Sequence, residues 1–142
     1  MTLFYALLDP VGGSMDYVVA GHPYPMLRLT NGTIVELGEG GLPLGIREEL
    51  VSPTGAITIE PGEQLLLYTD GIVETLDASG VDYGYGRLRK TLEFGGSAAA
   101  IHDRIVREVS AFQGDAPALD DRSLVVVSRA AGLPPVPPSA RE

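Results

Sequence analysis

Short apolar runs broken by turn residues fill the first half of the chain, and the hydrophobic spacing changes to that of helices only past position 70. Residues 2–8 are apolar, Asp9-Pro10-Val11-Gly12-Gly13 supplies turn chemistry, and 15–20 is again apolar and β-branched, which predicts a hairpin. A second hairpin is predicted from 25–30 and 33–37. Asn31-Gly32 joins them, a dipeptide suited to positive φ in a two-residue turn. Two segments rich in glycine and proline, Ala20-Gly21-His22-Pro23-Tyr24-Pro25 and Gly40-Gly41-Leu42-Pro43-Leu44-Gly45, read as ordered loops. Residues 56–59 form a short strand before the turn Pro61-Gly62. Residues 64–69 follow as a central strand, because Leu65-Leu66-Leu67-Tyr68 is apolar on both faces.

Helices come late. Short ones are expected over 71–76 and 85–94, the latter with Leu88 and Leu92 four apart on one face. The clearest starts from a Ser97 cap and runs to Gln113, with Ile101, Ile105, Val109 and Phe112 in one stripe and Gly114 placed to end it. The pairs Asp103 with Arg107 and Arg104 with Glu108 lie outside that stripe. A last strand, 123–128, carries Leu124-Val125-Val126-Val127. The pattern predicts an α+β domain of helices on a mostly antiparallel sheet.

Composition narrows the classes further. With 142 residues, one domain burying roughly 70% of its unfolded surface is expected. Eighteen glycines and 11 prolines demand frequent turns, and Leu133-Pro134-Pro135-Val136-Pro137-Pro138 lacks the donors for a ladder. We therefore expect a domain over 1–130 and a Pro-rich disordered tail over 131–142. The absence of cysteine excludes a disulfide framework and a thiolate metal site, making the cytoplasm the default. A net charge of −9 argues against nucleic acid and anionic lipid as partners and suits the recruitment of cations. No run of about 18 apolar residues spans a membrane, and the start Met1-Thr2-Leu3-Phe4-Tyr5 lacks a basic signal-peptide region. The chain opens inside its first strand without a polar lead, as if a preceding segment had been removed.

The chemistry centres on aspartates. Asp70 ends the central strand in Tyr68-Thr69-Asp70-Gly71, and Asp120-Asp121 opens the last strand in Leu119-Asp120-Asp121-Arg122-Ser123. If these strands lie antiparallel and adjacent, Asp70 and Asp120 reach one edge of the sheet. Crowded carboxylates repel unless a proton or cation intervenes, and a hard ion such as Mg²⁺ or Mn²⁺ takes such oxygen ligands without His or Cys. Gly71 would let backbone approach closely. The alternative is structural: Asp70 caps the following helix, and Asp120 or Asp121 begins a turn.

The order of motifs bears on that choice. Thr2-Leu3-Phe4-Tyr5, Ala20-Gly21-His22-Pro23, Gly41-Leu42-Pro43-Leu44-Gly45, Pro61-Gly62-Glu63, Leu66-Leu67-Tyr68-Thr69-Asp70-Gly71-Ile72-Val73-Glu74 and Asp120-Asp121-Arg122-Ser123-Leu124 occur in sequence over residues 2–129. In this the chain resembles the SpoIIE and RsbU group of metal-dependent serine/threonine protein phosphatases, the bacterial branch of the type 2C-like fold. The resemblance implies half of an α-β-β-α sandwich. It also implies hydrolysis of phosphoserine or phosphothreonine by water activated between two Mn²⁺ or Mg²⁺ ions roughly 4 Å apart. Asp70 and Asp120 are then metal ligands, with Asp121 a ligand or a neighbour of one. The implied substrate is a phosphorylated regulatory protein such as an anti-sigma-factor antagonist.

One departure shapes the expectation. In that family an earlier half supplies a Gly-Asp-Phe-Tyr-Asp-like and an Asp-x-Ser-Gly-His-Gly-like segment, and neither occurs here. The isolated chain is expected to hold metal weakly and to have little or no phosphatase activity. It could instead be a non-catalytic interaction module, or have its site completed by a separate chain or a second copy. Half a sandwich exposes a sheet face and edge strands, which promotes self-association.

Other residues carry less. His22, and Gly71 through its backbone, are candidate substrate contacts, although a loop histidine is also a common structural element. His102 lies beside the helix stripe. Tyr83-Gly84-Tyr85-Gly86 lacks the strand and lysine of a phosphate-cradling loop. Arg87, Arg89 and Lys90 form a small basic cluster that suits either a phosphoprotein contact or a solvated helix face.

Overall fold

A computed structural model describes residues 1–47 and 53–130; the expected tail at 131–142 lies outside them. The first hairpin pairs β1 (Leu3–Leu8) with β2 (Ser14–Ala20), and β5 (Thr54–Thr58) adds antiparallel to β2. Asp9 shapes the turn, its carboxylate oxygens accepting the Val11 and Gly12 amides at 2.9 Å each. The second sheet contains β3 (Met26–Arg28), β4 (Ile34–Glu36), β6 (Gln64–Tyr68) and β7 (Leu124–Ser128) in the antiparallel order β4-β3-β6-β7.

The second hairpin closes differently from the two-residue turn that Asn31-Gly32 predicts. Gly32 alone takes a positive φ, 86°. Its amide donates to Leu29 O at 2.9 Å, and the Leu29 amide donates to Thr33 O at 2.8 Å, so Thr30, Asn31 and Gly32 form a three-residue connection. The reason lies in the Asn31 side chain. Its oxygen accepts the Thr33 amide at 2.9 Å, a local bond that holds Asn31 outside the left-handed region.

Two cores result. Met15, Leu27, Leu37, Ile59 and Leu65 are buried between the sheets. On the other face of the second sheet lie α1 (Asp70–Val73), α2 (Gly84–Glu93) and α3 (Ala98–Gln113). There Met26, Leu66 and Tyr68 meet Leu88, Leu92, Ile101, Ile105 and Val109. Strand β6 serves both cores, with Leu65 directed to one and Leu66 and Tyr68 to the other, as its two-sided apolar run requires. The Ser97 hydroxyl caps α3 by accepting the Ala100 amide at 3.2 Å. Helix α1 is shorter than the 71–76 segment suggests, because Thr75 folds its hydroxyl back onto Gly71 O at 2.8 Å and the chain then turns away.

The layers are therefore sheet, sheet and helix, a mixed α/β fold with antiparallel sheets. The outer face of the first sheet is uncovered among the described residues: Leu3, Tyr5 and Leu7 alternate along β1 at 36%, 55% and 62% exposure. No described helix is long and apolar enough to cross a membrane.

Candidate metal and substrate site at the sheet edge

Strands β6 and β7 are antiparallel neighbours, with Tyr68 opposite Leu124. Beyond that pair Thr69 stitches the two strands. Its amide donates to Ser123 O at 3.1 Å, and its hydroxyl accepts the Ser123 amide at 2.9 Å and donates to Asp121 O at 3.3 Å. Thr69 is the N-cap residue of α1, but its hydroxyl is engaged in this stitch and caps nothing. Asp70 consequently emerges at the same sheet edge as the segment Asp120-Asp121, the adjacency expected from the sequence. Between them sits Gly71, buried, where an added Cβ would stand 2.4 Å from Asp121 O. That is the close backbone approach anticipated for this glycine.

The carboxylates themselves are distributed differently from a single cluster. Asp70 and Asp120 are both exposed and open onto different clefts. Asp120 lines a cleft of about 310 Å³ with Gly71, Glu74, Asp82 and Arg122. Asp70 lines a wider, more open one of about 630 Å³ with His22, Tyr24, Glu36, Tyr68 and Tyr85. Each aspartate also has a local role of the structural kind: Asp70 Oδ1 accepts the Gly71 amide at 3.1 Å, and Asp120 Oδ1 accepts the Asp121 amide at 2.7 Å. Asp121 is exposed and enters the stitch through its carbonyl.

His22 is half-buried, and that burial holds its imidazole below the usual histidine value while the Asp70 charge opposes the shift. Its loop is fixed from below. Gly21, at φ 63°, donates to Gly41 O at 3.0 Å, and an added Cβ there would meet Pro43 Cγ at 2.4 Å. The two glycine- and proline-rich segments are thus packed against each other. Burial, then the neighbouring Tyr85 and Glu36, pushes the Tyr68 hydroxyl well above the ordinary tyrosine value. His102 lies away from this edge on exposed helix surface, 3.1 Å from Asp103. Arg87 stacks over the Phe112 ring, and Arg89 reaches Glu36 at 3.5 Å and Ile34 O at 3.0 Å. Those two basic side chains serve packing. Tyr68, Tyr85, Glu36, Glu74 and Asp82 were not singled out by the sequence as site residues, although Tyr68 and Glu74 stand in the Asp70 motif and Tyr85 in the Tyr83-Gly84-Tyr85-Gly86 segment.

The donor chemistry suits a hard divalent cation; the number of gathered donors does not. Among the described residues no three or more His, Cys, Asp or Glu side chains form a group that could hold a metal ion. The residues here would fit part of a metal site and not a whole one.

The architecture belongs to a known class, the PP2C-like phosphatase domains. The phosphatase domain of the cell fate determinant SpoIIE from Bacillus subtilis, in a Mn-presoaked structure, superposes with a TM-score of 0.72 at 18% identity, covering 94% of this chain and 58% of that one. The RsbU and RsbW domains of Rv1364c from Mycobacterium tuberculosis match with a TM-score of 0.73 at 25% identity, covering 94% of this chain and 38% of that one. The chain belongs to the SpoIIE family: the family model for stage II sporulation protein E matches residues 1–130. Protein IcfG of Synechocystis sp. is 29% identical over 129 residues, covering 90% of this chain and 20% of IcfG. Phosphoserine phosphatase RsbP of Bacillus subtilis is 33% identical over 73 residues, covering 51% of this chain and 18% of RsbP. The chain thus spans about a fifth of these relatives and just over half of the SpoIIE phosphatase domain.

Proposed function

We propose that the chain is the Asp70- and Asp120-bearing part of a metal-dependent serine/threonine protein phosphatase domain, acting on a phosphorylated regulatory protein such as an anti-sigma-factor antagonist in the cytoplasm. The observation that carries this reading is the Thr69 stitch, which fixes the end of β6 beside the start of β7 and so brings Asp70 and Asp120-Asp121 to one edge. In this reading Asp70 and Asp120 contribute oxygen ligands to Mn²⁺ or Mg²⁺, and Asp121 ligates or orients a ligand. A bound ion pair supplies an activated water and neutralises phosphoryl charge. In this reading His22, which lines the same cleft as Asp70, contacts substrate, and Gly71 lets the Asp121 backbone approach the base of Asp70. Further ligands come from outside the described residues, from more of the same domain, a complementing chain or a second copy. The exposed β1 face supports such association.

An assay of aryl phosphate hydrolysis in Mn²⁺, paired with Mn²⁺ titration calorimetry, tests the reading. We expect weak binding at one site and little turnover by the chain alone. Tight two-site binding, with turnover lost in Asp70→Asn, would overturn the incompleteness of the site. No Mn²⁺ binding at all would leave a non-catalytic interaction module as the correct reading.

A further inference from the structure

The wide cleft beside Asp70 runs toward Glu36 and is walled by Tyr24, Tyr68 and Tyr85. No lysine or arginine is among the residues lining it. Among the described residues Glu36 has one cationic neighbour, Arg89 at 3.5 Å, and both side chains of that pair are more than 40% exposed, so the pair is weak and readily exchanged. Tyr68 presents the more telling feature. It is only 3% exposed, its ring meets Tyr85 edge-on at 6.4 Å, and its hydroxyl has no hydrogen-bond partner among the described residues. A buried hydroxyl without a partner is unfavourable, and Tyr68 is one of the residues that line this cleft, where a ligand's N–H could satisfy it. The exposed Tyr85 ring, flanked by Glu36 and Asp70, favours one type of guest. An acidic side chain would be repelled and an aliphatic one would desolvate Glu36 without compensation. A guanidinium offers a planar cationic face for Tyr85 and N–H donors for the Tyr68 hydroxyl and for Glu36, three groups that line this one cleft.

We propose that this cleft is a specificity subsite for a basic side chain, arginine above all, flanking the phosphorylated residue of the protein substrate. The proposal rests on the phosphatase reading, because that reading puts the phosphoryl group at the Asp70 end.

The test is fluorescence anisotropy of the full 142-residue chain, in Mn²⁺ buffer, with labelled phosphoserine peptides carrying arginine, norleucine or glutamate beside the phosphoserine. The arginine peptide should bind roughly tenfold more tightly than the norleucine peptide, and the glutamate peptide more weakly than both. Tyr68→Phe and Glu36→Gln, each with an unchanged circular dichroism spectrum, should each cut that preference to about threefold or less. Equal binding of the arginine and norleucine peptides, survival of the preference in the double variant, or no binding of any peptide overturns the proposal. Unphosphorylated twins separate the two readings. Phosphate-dependent binding without an arginine preference sinks the subsite and leaves the phosphatase standing; an arginine preference indifferent to phosphate supports the subsite and counts against the phosphatase.

Discussion

Gly71→Ala tests the geometry that joins Asp70 to Asp120 more sharply than removing either aspartate. The added methyl would stand 2.4 Å from Asp121 O, 3.2 Å from Asp121 C and 3.3 Å from Arg122 Cγ. Two of those atoms are backbone, so no side-chain rotation relieves the overlap. Either the Asp121 segment or α1 must shift, and Thr69 ties them together on both sides. Overpacking of this kind costs about 1–3 kcal/mol, against which alanine in a helix recovers about 0.5–1 kcal/mol relative to glycine. Because the overlap is with backbone, the cost falls at the upper end of that range, about 3 kcal/mol, and the expected balance is a loss of about 2–2.5 kcal/mol, a fall in melting midpoint of about 6–10 °C in a chain of this length. Gly86 is an internal control. It lies in α2 with nothing within 4 Å of an added Cβ, so Gly86→Ala should raise stability by about 0.5–1 kcal/mol. Urea unfolding followed by circular dichroism measures both, and Mn²⁺ affinity should fall in Gly71→Ala alone. If Gly71→Ala proves as stable as the parent chain while Gly86→Ala behaves as stated, the close approach between α1 and the Asp121 segment is refuted.

Three further outcomes follow from other parts of the molecule. Thr91 is buried, and its hydroxyl donates to Glu108 and is shared with Tyr83 at 3.3 Å, so Thr91→Val should cost about 1–3 kcal/mol, read as a lower urea midpoint with an unchanged slope. Burial is the main cause that raises Tyr68 and Tyr83 above the ordinary tyrosine value of 10.0. The folded chain therefore keeps these protons where the unfolded chain has released them. That stability is intact below pH 10 and is lost as pH climbs beyond it, and Tyr68→Phe should flatten the decline in unfolding titrations above about pH 10. An equal slope in the variant would contradict this. Replacing Tyr5 and Leu7 together by lysine places charge on the exposed β1 face and should reduce self-association in sedimentation velocity without loss of secondary structure.

The elements were largely legible because hydrophobic period and turn chemistry agreed along most of the chain. Leu65-Leu66-Leu67-Tyr68 announced a strand buried on both faces, and the Ser97 to Gly114 segment carried its own cap, stripe and stop. The Asn31-Gly32 loop misled because a side-chain hydrogen bond, invisible to dipeptide preference, set the Asn31 backbone. At the site, antiparallel adjacency could be deduced from residue order, but side-chain direction could not. Gly71 and Asp121 meet through backbone, while the Asp70 and Asp120 carboxylates open into separate clefts. Nor could sequence spacing place Glu36 and Tyr85 around Tyr68, since those contacts join β4, β6 and α2 across the fold.

Strand β6 is a wall shared by two cores, and that sharing ranks the molecule by depth of protection. Its central amides open only when both cores loosen, which makes them the slowest to exchange with solvent, whereas the connection through Asp115 to Asp121 is exposed for most of its length. Asp70 thus projects from the element that both cores share and Asp120 from an exposed connection. In the proposed metal-bound form, gathering the two carboxylates around one ion would draw the exposed segment before Asp121 toward the post that β6 provides, with the Thr69 stitch holding Asp121 in place.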